Sequence, residues 1–169
     1  VSLVGFRAQN HPQQATSDDV DDRATTAEIF GPLDARFGFT IDVAAAEHNT
    51  KCERWYDRAT DGLAQSWARE TVWCNPPYSD IGPWVRKAWS EWHQPPRIRP
   101  RAIVMLLPAN RTEQDWWQTC VEPYRDTPRS RFTVEFLPGR IRFIKAGATE
   151  VGPNERPPFG CCLLIWERP

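Results

Sequence analysis

The sequence predicts one α/β domain, built on a single sheet with a late antiparallel portion. Two observations carry that reading. Apolar strand-like runs alternate with segments of helical periodicity through the middle of the chain, and strand-like runs then cluster toward its end. A length of 169 residues suits one domain with a substantial core, and no internal repeat or change of composition marks a boundary.

Residues 1–24 are polar and acidic, with Asp18-Asp19 and Asp21-Asp22 and no sustained periodicity. They are expected to form a mobile leader that folds back over a site. A helix is expected from Thr25, which can cap it with Glu28 three residues later. Ile29, Phe30, Leu33 and Phe37 give its apolar face, and Gly38 closes it. Phe39, Ile41 and Val43 alternate as a strand, with Asp42 near its carboxyl end and the small residues Ala44, Ala45 and Ala46 after it. In α/β sheets an acid at that position is well placed to meet a ligand hydroxyl or amine, although a solvent-facing strand aspartate fits these residues equally well.

Arg54 to Asp57 is expected as a short second strand, and Asp61-Gly62-Leu63 as a turn. Val72-Trp73-Cys74 reads as an apolar strand that ends in Asn75-Pro76-Pro77-Tyr78. Trp84, Val85, Ala88, Trp89 and Trp92 recur at helical spacing, as packing residues do. Arg97, Arg99 and Arg101 lie in a proline-rich basic loop. Ala102 to Pro108 has the continuous apolar character of a strand buried on both faces. Ala109 to Thr112 forms a candidate ligand loop, and a helix carrying Trp116 and Trp117 follows. Strands are expected at 132–137, 139–144 and 159–166.

Asn75 to Tyr78 carries the chemistry. Each proline has a fixed φ and no N–H, and each restricts the residue before it, so the tip after the strand is stiff. The Asn75 side chain offers a carbonyl acceptor and an amide donor, backbone carbonyls add acceptors, and Tyr78 offers a flat face. Such a set suits an amino group on a planar heterocycle. A plain strand-ending turn is the competing reading of the prolines taken alone.

Composition excludes several classes. The formal net charge of −1 rules out a protein coated in positive charge, so any nucleic-acid contact must come from a local patch. No apolar run reaches bilayer-spanning length and the first residues do not read as a signal peptide, so no membrane association is expected. The five cysteines, Cys52, Cys74, Cys120, Cys161 and Cys162, are odd in number and lack Cys-x-x-Cys spacing. That pattern implies reduced thiols in a cytoplasmic protein and no metal site.

The order of several motifs resembles the phage-type DNA N-6-adenine methyltransferases, the Dam-like family of phages and prophages. The resemblance rests on Phe37 to Ala45, Asn49-Thr50-Lys51-Cys52, Asp61-Gly62-Leu63, Trp67 and Val72 to Tyr78. It continues through Trp84-Val85, Lys87-Ala88, Met105 to Ala109 and Gly139 to Phe143. It implies a single methyltransferase domain over residues 25–169 on a Rossmann-like, mostly parallel methyltransferase sheet, with S-adenosylmethionine as methyl donor and N6 of a flipped adenine in DNA as target. It further implies that Asn75 and the Pro76 carbonyl accept hydrogen bonds from the adenine amine. Pro77 would hold the loop and Tyr78 would stack on the ring.

By the same resemblance Asp42 binds the donor, Ala44 and Ala45 permit its close approach, and Thr25, Asn49 and Asp61 are further donor-site candidates. Asp57 is an alternative ribose ligand. Two departures stand out: Thr25-Thr26 replaces the family's Thr-Pro, and Ala44-Ala45-Ala46 replaces the glycine-rich first loop of many methyltransferases. Arg97, Arg99, Arg111, Arg129 and Arg131 are candidate DNA phosphate contacts. The chain leaves no room for a large separate target-recognition domain, so specificity is expected from loops or a partner, or to be loose. The oligomeric state is left open, and location in a bacterial host cytoplasm is expected. Two other readings remain: a protein glutamine methyltransferase, and a non-catalytic DNA-binding module on this scaffold.

Overall fold

The computed structural model describes residues 21, 23–125, 127, 129–145, 147–152 and 157–168. The expectation of a mobile leader over residues 1–20 and 22 lies outside them. The elements are β1 (Ala24–Thr25), α1 (Ala27–Phe37), β2 (Ile41–Asp42), β3 (Thr71–Cys74), α2 (Gly82–Trp92), β4 (Ala102–Pro108), α3 (Asp115–Cys120), β5 (Phe132–Phe136), β6 (Phe143–Ile144) and β7 (Cys161–Glu167).

Five strands form one sheet in the order β2-β3-β4-β7-β5, and β1 pairs with β6 in a separate two-stranded ribbon. The β2–β3 and β3–β4 pairs are parallel, whereas β4–β7 and β5–β7 are antiparallel. The sheet is therefore mixed, and its parallel and antiparallel pairings are equal in number. The late antiparallel portion occupies the side of the sheet beyond β4, with β7 inserted between β4 and β5.

Alternation along the strands sorts the core. On β3, Val72 and Cys74 face one apolar cluster and Trp73 faces the other; on β4, Ile103, Met105 and Leu107 oppose Val104 and Leu106. The first cluster takes Val85, Ala88, Trp89 and Trp92 from α2 and Trp116 and Trp117 from α3. The second is covered by Ile29, Phe30, Leu33 and Phe37 of α1 and by Phe143. Every residue of β4 is buried, as expected for a strand covered on both faces. All five cysteines are free, and Cys74, Cys161 and Cys162 are buried packing residues.

Several local expectations need correction. Thr26, not Thr25, is the residue preceding α1, and it makes no side-chain capping bond. Thr25 belongs to β1, where its backbone pairs opposite Phe143; an extended residue in a ladder cannot also be the cap of a helix that starts two residues later. Arg54 to Asp57 forms only a bridge from Trp55 to Asp42. The strand expected over 139–144 is confined to β6, because Gly139 turns the chain with φ 68°. Among the described residues no helix is long and apolar enough to cross a membrane.

Candidate active site

Because β2, β3 and β4 run parallel, their carboxyl ends share one rim, and Asp42, Asn75 and Ala109 follow there. Asp42 is held by flanking backbone: its N–H donates to the Arg54 carbonyl at 3.0 Å and its carbonyl accepts from Tyr56 N–H at 2.9 Å. Its carboxylate accepts from Ala44 N–H at 3.3 Å and Lys51 N–H at 3.1 Å. Burial outweighs these bonds and pushes the Asp42 carboxyl up to about 6, because desolvation disfavours the charged form.

Asn75 follows β3 directly. Its Nδ2 donates to the Arg23 carbonyl at 3.2 Å, whereas its Oδ1 is buried without a hydrogen-bond partner among the described residues. Buried polar atoms are nearly always paired, so this acceptor is an exception at the position where a ligand amine was expected. The Tyr78 hydroxyl donates to the Leu106 carbonyl at 3.2 Å, and its ring meets Phe143 and Phe159 edge-on. Those contacts fix the ring, and burial raises its phenol well above the usual range. The loop is also tied to the amino-terminal segment: Asp21 accepts from the Ser79 N–H at 3.1 Å and from the Ser79 hydroxyl.

A cavity of about 490 Å³ opens beside this loop, lined by Ala44, Ala45, Asn49, Asp57, Asp61 and Pro77. The volume falls within the ~300–1,000 Å³ of small-ligand pockets. Asp21, Ala46, His48, Tyr56, Arg58, Gly62 and Trp84 complete its wall. A smaller polar cavity adjoins it, sharing Asp21, Ala44 and Asn49 and adding Arg23, Thr25, Asp42, Lys51 and Asn75. The structure thus brings all seven expected donor-site residues and the Asn75 loop to one place.

Backbone geometry constrains the cavity wall. A Cβ on Gly62 would lie 2.0 Å from the Val43 carbonyl oxygen, so only glycine lets that turn pack against the end of β2. Asp57 accepts from Thr60 N–H at 2.8 Å and Thr60 hydroxyl at 2.9 Å, bonds that hold its carboxyl below the usual range. Asp61 adopts φ 52° and accepts from Leu63 N–H at 3.1 Å. Both acids therefore shape the turn as well as line the cavity.

The arginines divide. Arg111 lies on the rim, lining a cavity with Tyr78, Ser79 and Trp116. Arg97 and Arg99 line a different cleft with Arg69, Arg101 and Arg168, at the opposite end of the sheet, where β3 and β4 begin and β7 ends. Arg131 also lies there, since its carbonyl accepts from Glu167 N–H at 3.2 Å; Arg129 is exposed two residues before it.

Sequence reasoning passed over Asp21, Arg23, Tyr56, His48, Arg58 and Trp84 as wall residues. Trp84 had a signal: it opens the helical apolar series, at the end of α2 that faces the rim.

Comparison with known proteins bears directly on this arrangement. Residues 13–169 match the family described as DNA N-6-adenine-methyltransferase (Dam). The chain belongs to that Dam family. Two phage relatives, each named DNA N-6-adenine-methyltransferase, agree with the match. One, from Escherichia phage T1, is 36% identical over 89 residues, covering 52% of this chain and 35% of the relative. The other, from Haemophilus phage HP1, is 32% identical over 130 residues, covering 76% of this chain and 67% of the relative. The matched stretch is thus about a third of the T1 protein and two thirds of the HP1 protein. Residues 13–169 of the Dam family match take in β1, both cavities and every strand of the sheet.

Proposed function

We propose that this chain transfers a methyl group from S-adenosylmethionine to the N6 amino group of adenine in DNA, on a Rossmann-like methyltransferase sheet. The single observation that carries the reading is Asn75 Oδ1, a buried acceptor without a partner among the described residues, in a small chamber that shares Asp21, Ala44 and Asn49 with the cavity of cofactor size. Family membership and the names of the two phage relatives support the same substrate.

The residues present suit S-adenosylmethionine. The cavity offers Asp57 and Asp61 as acceptors, small residues Ala44 and Ala45 for close approach, and Tyr56 and Trp84 as flat apolar walls. Asp42 is buried in the lining of the adjoining chamber of about 20 Å³, where it shapes the loop that carries Ala44 and Lys51. When bound, the donor supplies an electrophilic methyl group on a positively charged sulfur.

Asn75 Oδ1 and the Pro76 carbonyl accept hydrogen bonds from the adenine amine, raising electron density on N6 and orienting its lone pair. Pro76 and Pro77 fix the backbone φ angles after Asn75 and the Nδ2 bond to the Arg23 carbonyl holds its amide, so the effect is one of preorganisation and orientation. Adenine N6 is engaged in base pairing inside a duplex, and the target base must therefore leave the stack. Tyr78 then provides the ring against which it rests, and Arg111 a phosphate contact on the same rim.

Incubation of purified protein with labelled donor and duplex DNA, followed by nucleoside digestion, tests the proposal. Label in N6-methyladenine is the expected result. Absence of transfer to any adenine-containing DNA, or transfer to peptide glutamine instead, refutes it.

A further inference from the structure

At the pole opposite Asn75, five arginines from separate segments line one cleft of about 420 Å³: Arg69, Arg97, Arg99, Arg101 and Arg168. Arg69 precedes β3, Arg97 to Arg101 precede β4, and Arg168 follows β7, so strand pairing itself draws them together. Several are braced by backbone. Arg69 Nε donates to the Arg97 carbonyl at 2.9 Å, Arg99 Nε to the Gln94 carbonyl at 3.1 Å, and Arg168 Nη2 to the Pro96 carbonyl at 3.4 Å. Arg99 also lies over the Trp92 ring, and Pro95, Pro96 and Pro100 stiffen the loop.

None of the five pairs with a carboxylate among the described residues. The acids nearest in sequence are committed elsewhere: Glu70 to Arg54 and Thr40, and Glu167 to Arg36. In a chain of net charge −1, five guanidinium groups in one cleft with no carboxylate partner among the described residues repel each other, with no general excess of positive charge to account for them. An anion would relieve that repulsion, and planar guanidinium forks match phosphate oxygens.

We propose that this cleft binds the phosphodiester backbone of a second DNA segment, distinct from the one presented to Asn75. That the anion is DNA rests on the methyltransferase reading. The seven residues of β4 span roughly 20 Å at ~3.3 Å per residue, which separates the two poles. A duplex laid across the rim, at right angles to the strands, would have to bend back within a few tens of base pairs to reach the cleft, which its ~150-base-pair persistence length opposes. Occupancy of both poles therefore bridges two duplexes.

The test mixes the protein with two short duplexes, one carrying a donor fluorophore and one an acceptor, and reads energy transfer and methyl transfer on the same samples. The wild type should bring the duplexes together. Arg97→Gln with Arg101→Gln should abolish that bridging and lower the log–log salt slope of total binding by about two, at ~0.9 per phosphate contact. Neither side chain has a hydrogen bond within the described residues, so the thermal melt should be unchanged, and so should transfer into a single duplex. Absence of bridging by the wild type overturns the proposal, whether or not the cleft takes inorganic phosphate. So does bridging that survives in the double variant, as self-association of two active sites would give. Methyl transfer without bridging removes only the second site; bridging without methyl transfer removes only the methylation reading.

Discussion

Replacing Asn75 by alanine separates a catalytic acceptor from a structural one. Among the described residues Asn75 makes one side-chain hydrogen bond, from Nδ2 to the Arg23 carbonyl at 3.2 Å, and Oδ1 is buried and unpaired. Losing the bond costs about 1 kcal/mol, while removing an unsatisfied buried acceptor returns roughly 1–3 kcal/mol. These nearly cancel, so folding stability should move by less than about 2 kcal/mol in either direction. The chemical step should respond very differently. Loss of a single preorganised hydrogen bond at a reacting centre costs about 100- to 1,000-fold in rate. The assay is single-turnover transfer of labelled methyl at saturating duplex and donor, with a urea melt and donor calorimetry beside it. The expected pattern is a collapsed rate, an ordinary melt and a nearly unchanged donor affinity. Transfer within about threefold of wild type would refute the assigned role. A loss of more than about 3 kcal/mol in the melt would instead make Asn75 a structural residue.

Three further outcomes are expected. Asp42, raised by burial to about 6 from an unfolded value near ~3.9, holds its proton more tightly in the folded protein; its contribution to stability is therefore largest below about pH 4 and declines by of order 3 kcal/mol as pH rises to about 6. Urea melts across that window should show the decline in wild type and lose it in Asp42→Asn; parallel profiles would reject the assignment. Gly62→Ala should destabilise the fold by about 3 kcal/mol or more and weaken donor binding, because the new methyl meets the Val43 carbonyl oxygen at 2.0 Å; an unshifted melt would show that the turn yields freely. Trp84→Ala should weaken donor affinity by about tenfold, in line with ~1–3 kcal/mol for a base stacked on an aromatic ring, and calorimetry giving an equal affinity would remove Trp84 from the donor site.

The rim was legible in the sequence because its residues obey strong local rules. Two prolines after an apolar strand can only terminate it, and Asn75 had to appear at its end. Asp42 followed from alternation of Phe39, Ile41 and Val43. The insertion of β7 between β4 and β5 was not legible, since a continuous apolar run such as Cys161 to Trp166 pairs in either direction equally well. Nor was the pairing of Ala24-Thr25 with Phe143-Ile144, a contact between segments far apart in sequence with no periodicity of their own. Local rules placed Thr25 as a helix cap; the long-range ladder overrode them. The basic loop was identified as a candidate phosphate contact, but chain order carries no information about which pole of a sheet a loop occupies until strand directions are known.

Unpaired buried atoms give the site a physical signature independent of any motif. Five such side-chain atoms occur among the described residues: Arg23 Nε, Thr25 Oγ1, Asn75 Oδ1, Arg111 Nε and Trp166 Nε1. Trp166 lies in the core, but the other four surround the carboxyl rim. Three of them, with Asp42, line the small chamber beside the main cavity. Each unsatisfied group costs about 1–3 kcal/mol, and a fold selected only for stability would not gather them beside a desolvated carboxyl group. The chamber they line has a volume of about 20 Å³, room for one water molecule, which donors on Arg23, an acceptor on Asn75 and either on Thr25 would hold beside the main cavity. The amino-terminal strand is then part of the site and not a preface to it, because β1 and the two bonds from Asp21 bring Arg23 and Thr25 over Asn75. The two places where helix-capping and pairing rules fail, Thr25 and Asn75, are both at this chamber, as expected where function competes with stability.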